Sequence, residues 1–170
     1  QAYEMGLSKK TKIFFNWIVN VFATGIPPEA LKDVMCQMFW YFDMTGFEDA
    51  EVVKLSNEFT ARYMAEYGEP PDPYGLSAYM GVKEVIRGME LAKSSDPEKA
   101  YNALMANPKW TGPKGPGTWM IDGNPRYKFS SFIAMGLGAD ERKTKWDYVK
   151  VISYYGGKYF QRTPEELGWK

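Results

Sequence analysis

The sequence predicts an α/β protein with mainly parallel sheets flanked by helices. Three observations lead there: strand-like and helix-like stretches alternate over the first third, two long amphipathic helices follow, and β-favouring segments return after residue 117. Residues 1–8, QAYEMGLS, read as the last turns of a helix that stops at Gly6, because glycine supplies the left-handed residue that ends many helices. Residues 11–16 carry Ile13-Phe14-Phe15, a short β-favouring run. Pro27-Pro28 ahead of Glu29-Ala30-Leu31 puts proline at the first turn of a short helix. Val34 to Phe42, rich in aromatics and methionine and ending at Asp43 and Gly46, reads as a second buried strand.

From Asp49 to Tyr67 the apolar positions Val52, Leu55, Phe59 and Tyr63 recur at three- and four-residue steps, with Gly68 as the stop. After the rigid bridge EPPDP, Tyr74 to Lys93 repeats the pattern with Leu76, Tyr79, Val82, Ile86 and Met89 on the buried face. Ser95-Asp96-Pro97-Glu98 combines an N-cap, an N1 proline and an acidic first turn, so a third helix is expected to run to about Met105. NPKWTGPKGPGTW is dense in glycine and proline and reads as a loop. Thr118–Ile121 and Phe129–Met135 have strand composition, and residues 146–155, WDYVKVISYY, read as a last strand before a surface tail.

Composition removes several function classes. Twenty-one basic residues balance twenty-one acidic ones, so no strong field gathers nucleic acid or anionic lipid. No apolar run reaches the roughly 18 to 20 residues needed to span a bilayer, and QAYEMGLSKK lacks the order of a secretion signal, so any targeting segment is expected to lie outside these residues. The single cysteine, Cys36, sits among apolar neighbours and allows no intrachain disulfide. Histidine is absent, which removes the usual metal ligand and the usual general base near neutral pH; neither catalysis, a metal nor a cofactor is expected. Asp122-Gly123-Asn124 lacks the remaining oxygen ligands of a calcium loop and reads as a turn. GPKGPG carries no phosphate-cradle pattern, which leaves Lys114 as a solvated loop residue, and Arg142, Lys143 and Lys145 read as a solvated turn.

The order QAYEMGL, FTARYMAEYG, the proline-rich bridge, PYGLSAYMGVKEVIRGMELA, SSDPEKAYNAL, the G-P-x-G loop and PEELGW resembles the C-terminal half of the type 1 periplasmic substrate-binding proteins of ABC transporters, the branched-chain amino acid binding group, over almost all 170 residues. The resemblance implies two α/β lobes joined by three crossovers and closing on a small molecule, with a membrane permease as partner and a periplasmic or extracytoplasmic location. It assigns residues 1–67 to part of the second lobe, 68–140 to part of the first, and 141–170 to a return strand and tail of the second. The first lobe's opening βα units lie outside such a stretch. A missing N-terminal part of the same protein or a complementing chain is therefore expected to cover the strand edges left open. A ligand-sensing domain of the same fold in a receptor or regulator is the alternative.

In the family a carboxylate at about the place of Asn16 holds the ammonium of a bound amino acid. Asparagine brings no charge, which turns the expectation towards an acid, an amide or an aromatic ligand. Asn16 could equally cap a helix entered through Ile18 to Phe22. Trp17 either stacks on a ligand or covers a lobe edge. Trp40 and Tyr41 end the second strand, where the C-terminal ends of strands border the cleft in open α/β sheets, with a core or surface role as the alternative. Tyr74 matches an aromatic position that the family places near the ligand, with a core or surface role as the alternative.

Overall fold

In a computed structural model, which describes residues 1–16, 18–156 and 162–169, two sheets and a helical layer share three adjoining hydrophobic clusters. The chain enters through turns and a short 3-10 helix, Leu7–Lys9, with Gly6 left-handed at φ 68°, in place of the expected end of an α-helix. β1 (Phe14–Phe15), α1 (Asn20–Ala23), α2 (Pro28–Leu31) and β2 (Met35–Met38) follow. α2 starts at the proline that the sequence puts there. β2 is shorter than the expected Val34–Phe42, because Phe39 to Phe42 leave the sheet towards the helices.

α3 (Ala50–Tyr67) begins where Asp49 accepts the backbone N–H of Val52 at 3.3 Å and ends at left-handed Gly68. α4 (Pro73–Ala92) begins where Asp72 accepts the N–H of Gly75 at 2.9 Å, and α5 (Pro97–Ala106) where Asp96 accepts that of Lys99 at 2.9 Å. In both, proline occupies the first helical turn, where its missing N–H has no bond to lose. The apolar stripe read on α4 is rotated. Leu76, Met80, Glu84 and Gly88 are buried, while Val82 and Ile86 are 61% and 47% exposed. Gly88 sets that rotation, since a Cβ there would come within 2.9 Å of Leu104 Cγ on α5.

β3 (Lys109–Gly112), β4 (Gly115–Trp119) and β5 (Pro125–Tyr127) form an antiparallel sheet, while β6 (Ser131–Gly136) and β7 (Val149–Tyr155) join β1 and β2 in the order β1-β2-β6-β7. The α/β class holds, but parallel pairing does not dominate. Among the described residues only β1 and β2 run parallel; β2–β6, β6–β7, β3–β4 and β4–β5 are antiparallel. The reason is connectivity: α1 and α2 return the chain to a parallel neighbour, whereas tight turns join β3, β4 and β5, and a surface loop joins β6 to β7.

The stretch read as a loop, NPKWTGPKGPGTW, is the β3–β4 hairpin. Gly117 makes room for an indole: a Cβ there would lie 2.4 Å from Trp110 Cζ2, and the Trp110 and Trp119 rings pack with centroids 5.1 Å apart. Asp122-Gly123-Asn124 is a turn between β4 and β5, with Asp122 accepting the N–H of Asn124 at 3.0 Å.

One cluster packs Ile18, Leu31, Val34, Cys36, Met38, Tyr41, Ala134 and Val149 on the four-stranded sheet. Cys36 lies in it, fully buried, and burial pushes its thiol up to about 12, which leaves it an inert small hydrophobe. A second packs Trp40, Phe59, Leu76, Met80 and Trp110 between α3, α4 and the hairpin. Met44, Val52, Phe129 and Phe132 fill the space where connecting segments 39–49 and 128–130 pass.

Candidate functional site

Parallel β1 and β2 are in register at Phe15 and Cys36, so Asn16 and the segment beginning at Phe39 emerge from the same end of the sheet. In open α/β sheets that end borders ligand clefts. Asn16 is exposed at a bend directly after β1. It caps no helix: α1 starts at Asn20, with Val19 in the cap position and no side-chain cap. Trp17 lies outside the described residues.

Trp40 and Tyr41 are 0% and 1% exposed. The Trp40 indole N–H donates to Ser56 Oγ at 3.2 Å, and its ring meets Phe59 edge-on at 5.8 Å. Tyr41 accepts the N–H of Tyr148 and donates to the carbonyl of Trp146, both at 3.2 Å, and burial holds its hydroxyl well above the usual phenol range. Both side chains have core work in this structure.

Tyr74, in the first turn of α4, is 57% exposed and packs edge-to-face on Phe39 at 6.3 Å. The bridge before it is anchored from β1's side: Asn20, buried on α1, donates from Nδ2 to the carbonyl of Pro71 at 3.2 Å. Asn16 thus follows β1 at this end of the sheet, and Tyr74 heads α4, whose preceding bridge is tied to α1 by the Asn20–Pro71 bond.

Two groups were hidden in the sequence. Lys114 is 7% exposed, not a solvated loop residue. It occupies the two-residue turn between β3 and β4, which folds inward so that Nζ donates to the carbonyl of Ser130 at 3.4 Å. The ammonium lies 4.5 Å from the ring centroid of Tyr127 and 5.2 Å from that of Phe39. Burial alone brings it down to about 8. A lysine between two prolines' turns gives no warning of this; the spacing of Trp110, Gly112, Gly115, Gly117 and Trp119 could have revealed the hairpin, though not the inward fold. The second group is Glu84, 6% exposed on α4, which accepts from Arg87 at 2.9 and 2.7 Å and from the Trp119 indole at 2.8 Å. It locks the hairpin to the helix.

Tyr127 also walls a cavity of about 640 Å³ lined by Pro116, Gly117, Arg126, Phe129 and Tyr154 among others. No helix among the described residues is long and apolar enough to cross a membrane.

The pattern of the periplasmic binding protein family matches residues 1–129. The chain belongs to that family. A comparison with curated proteins gave no match. Among solved structures, a periplasmic binding protein from Burkholderia mallei superposes with a TM-score of 0.78 at 21% identity, covering 97% of this chain and 41% of that one. A branched-chain amino acid ABC transporter periplasmic ligand-binding protein from Burkholderia xenovorans gives 0.77 at 19% identity, covering 93% and 40%. A solute-binding protein of an ABC transporter from Rhodopseudomonas palustris, in complex with 3,4-dihydroxybenzoic acid, gives 0.67 at 16% identity, covering 92% and 40%. The chain spans about 40% of the length of these structures and shares their fold over that part.

Proposed function

We propose that this chain is part of the solute-binding component of an ABC-type uptake system, which closes on a small organic molecule and presents it to a membrane permease on the periplasmic side. The reading is of binding without turnover. The observation that supports it, beside the family, is that Asn16 is exposed where β1 ends, while Tyr74, also exposed, packs on Phe39, the residue that follows β2. Asn16 offers a donor and an acceptor but no charge, which suits a carboxylate or amide better than an ammonium. The 3,4-dihydroxybenzoic acid held by the Rhodopseudomonas palustris protein is a solute of that kind.

The division into lobes is part of this proposal. Residues 1–67 and 141–170 belong to the second lobe and 68–140 to the first in the family's pattern, and the packing suggests two adjustments. α3 shares a cluster with α4 and β3, which favours grouping it with the first lobe; β6 pairs with β2 and β7, which favours the second. Segments 39–49 and 128–130 would then be crossovers, about which the lobes hinge. The remaining part of the fold, from the same protein or a complementing chain, would cover apolar positions such as Val82, Val85 and Ile86 on α4.

The test is calorimetric titration of the complete protein with branched-chain amino acids, their amides and hydroxylated benzoates. Saturable one-to-one binding of at least one solute is expected. Heat of dilution alone across the whole panel would overturn the reading.

A further inference from the structure

We propose that Lys114 is a ligand-anchoring residue, whose ammonium takes the carboxylate of an aromatic acid while Phe39, Tyr74 and Tyr127 supply the apolar walls. The proposal rests on the solute-binding reading and names the solute's class. Lysine is rarely buried without a partner, because the ammonium loses its hydration. Here the side chain is 7% exposed, yet among the described residues it forms no ion pair, and its polar contact is a neutral carbonyl at 3.4 Å. Three donors converge on one long bond and two ring faces. A carboxylate would satisfy what the protein leaves weakly satisfied, with charge-assisted bonds of about 2.7–2.9 Å.

Position favours a solute over a purely structural cation. Two of the three contacts that hold the ammonium come from the two connecting segments, Phe39 from 39–49 and Ser130 from 128–130, and the third is Tyr127 at the end of β5. They meet where the sheet and the helical layer join. Phe39 also links this charge to the surface, because it meets the ring of Tyr74 edge-on, 57% exposed at the head of α4. Charge and rings thus form one chain of contacts from Lys114 through Phe39 to the exposed edge of Tyr74. The four-carbon stem lets the ammonium swing from the Ser130 carbonyl to an arriving anion without moving the hairpin. At neutral pH a group held at about 8 is still mostly protonated, so the charge is present for binding.

The experiment compares benzoate with benzamide, its neutral counterpart, by calorimetric titration of the complete protein and of Lys114→Met, with Lys114→Gln as a second neutral variant should the first fail to fold. Wild type is expected to prefer benzoate, and the neutral variant to lose at least about 30-fold in benzoate affinity while benzamide binding changes less than about twofold. Equal weakening of both solutes, or benzoate affinity unchanged in the variant, would overturn the assignment. So would a wild-type protein that binds an amino acid but not benzoate, a result that leaves the solute-binding reading standing.

Discussion

The indole N–H of Trp40 donates to Ser56 Oγ at 3.2 Å, with both residues at 0% exposure between β2 and α3. This bond decides what an aromatic at a strand end is for: it joins the connecting segment to the first buried face of a helix. Trp40→Ala should cost about 3–5 kcal/mol of stability. Ser56→Ala, which leaves the indole N–H unpaired, should cost about 1–3 kcal/mol. Denaturant midpoints measure both, and the folded Ser56→Ala protein should bind solute as wild type does.

Tyr74 should behave in the opposite way. Its exposed ring makes an edge contact with Phe39, so Tyr74→Ala should lower stability by about 0.5–1.5 kcal/mol at most. In the complete protein the same change should weaken solute binding about tenfold or more. A titration that gives wild-type affinity would remove Tyr74 from the site.

Lys114 gives a pH signature. Its folded-state value, about 8, lies below the ordinary 10.5, so between these pH values the unfolded chain binds more protons and stability rises with pH. Below pH 8 the full burial cost is present. Lys114→Met should therefore be more stable than wild type at pH 7, by up to about 3 kcal/mol, with the difference closing as pH approaches 10.5. Burial holds the hydroxyls of Tyr127 and Tyr148 above the ordinary phenol range. Chemical denaturation at pH 7, 8, 9 and 10 measures the closing gap.

Glu84 is the other buried charge, and it is fully engaged. Glu84→Ala strands the Trp119 indole and leaves the Arg87 guanidinium with its bond to the Asn107 carbonyl, and should cost about 3 kcal/mol. Hydrogen exchange should show the loss concentrated in β3 and β4, which the network holds to α4.

How much of this was legible in the sequence follows from range. α3, α4 and α5 were readable because their signals are local: Asp49, Asp72 and Asp96 cap within three residues, and Gly68 stops α3. The hairpin was not, because its strands depend on Trp110 packing against Gly117 across the turn. The rotation of α4 depends on α5 through Gly88 and Leu104, and antiparallel β6 and β7 depend on connectivity, which composition does not carry. Among the candidate site residues, Asn16 and Tyr74 came from a family pattern, and the fold leaves both exposed. Trp40 and Tyr41 followed the same strand-end argument into the core, since that argument fixes where a residue leaves the sheet but not which side of the chain its ring takes. Lys114 was missed because a lysine between glycines and prolines carries a solvent signal, and only the fold turns it inward.

The central claim is that this chain belongs to a protein that holds a small solute at the C-terminal end of β1 and β2. Native mass spectrometry of the complete, gently purified protein tests it most directly. The account predicts a mass above that of the polypeptide by one small organic molecule, lost on mild activation and depleted in Tyr74→Ala. A bare polypeptide mass that gains no adduct when amino acids, amides and aromatic acids are supplied would contradict it.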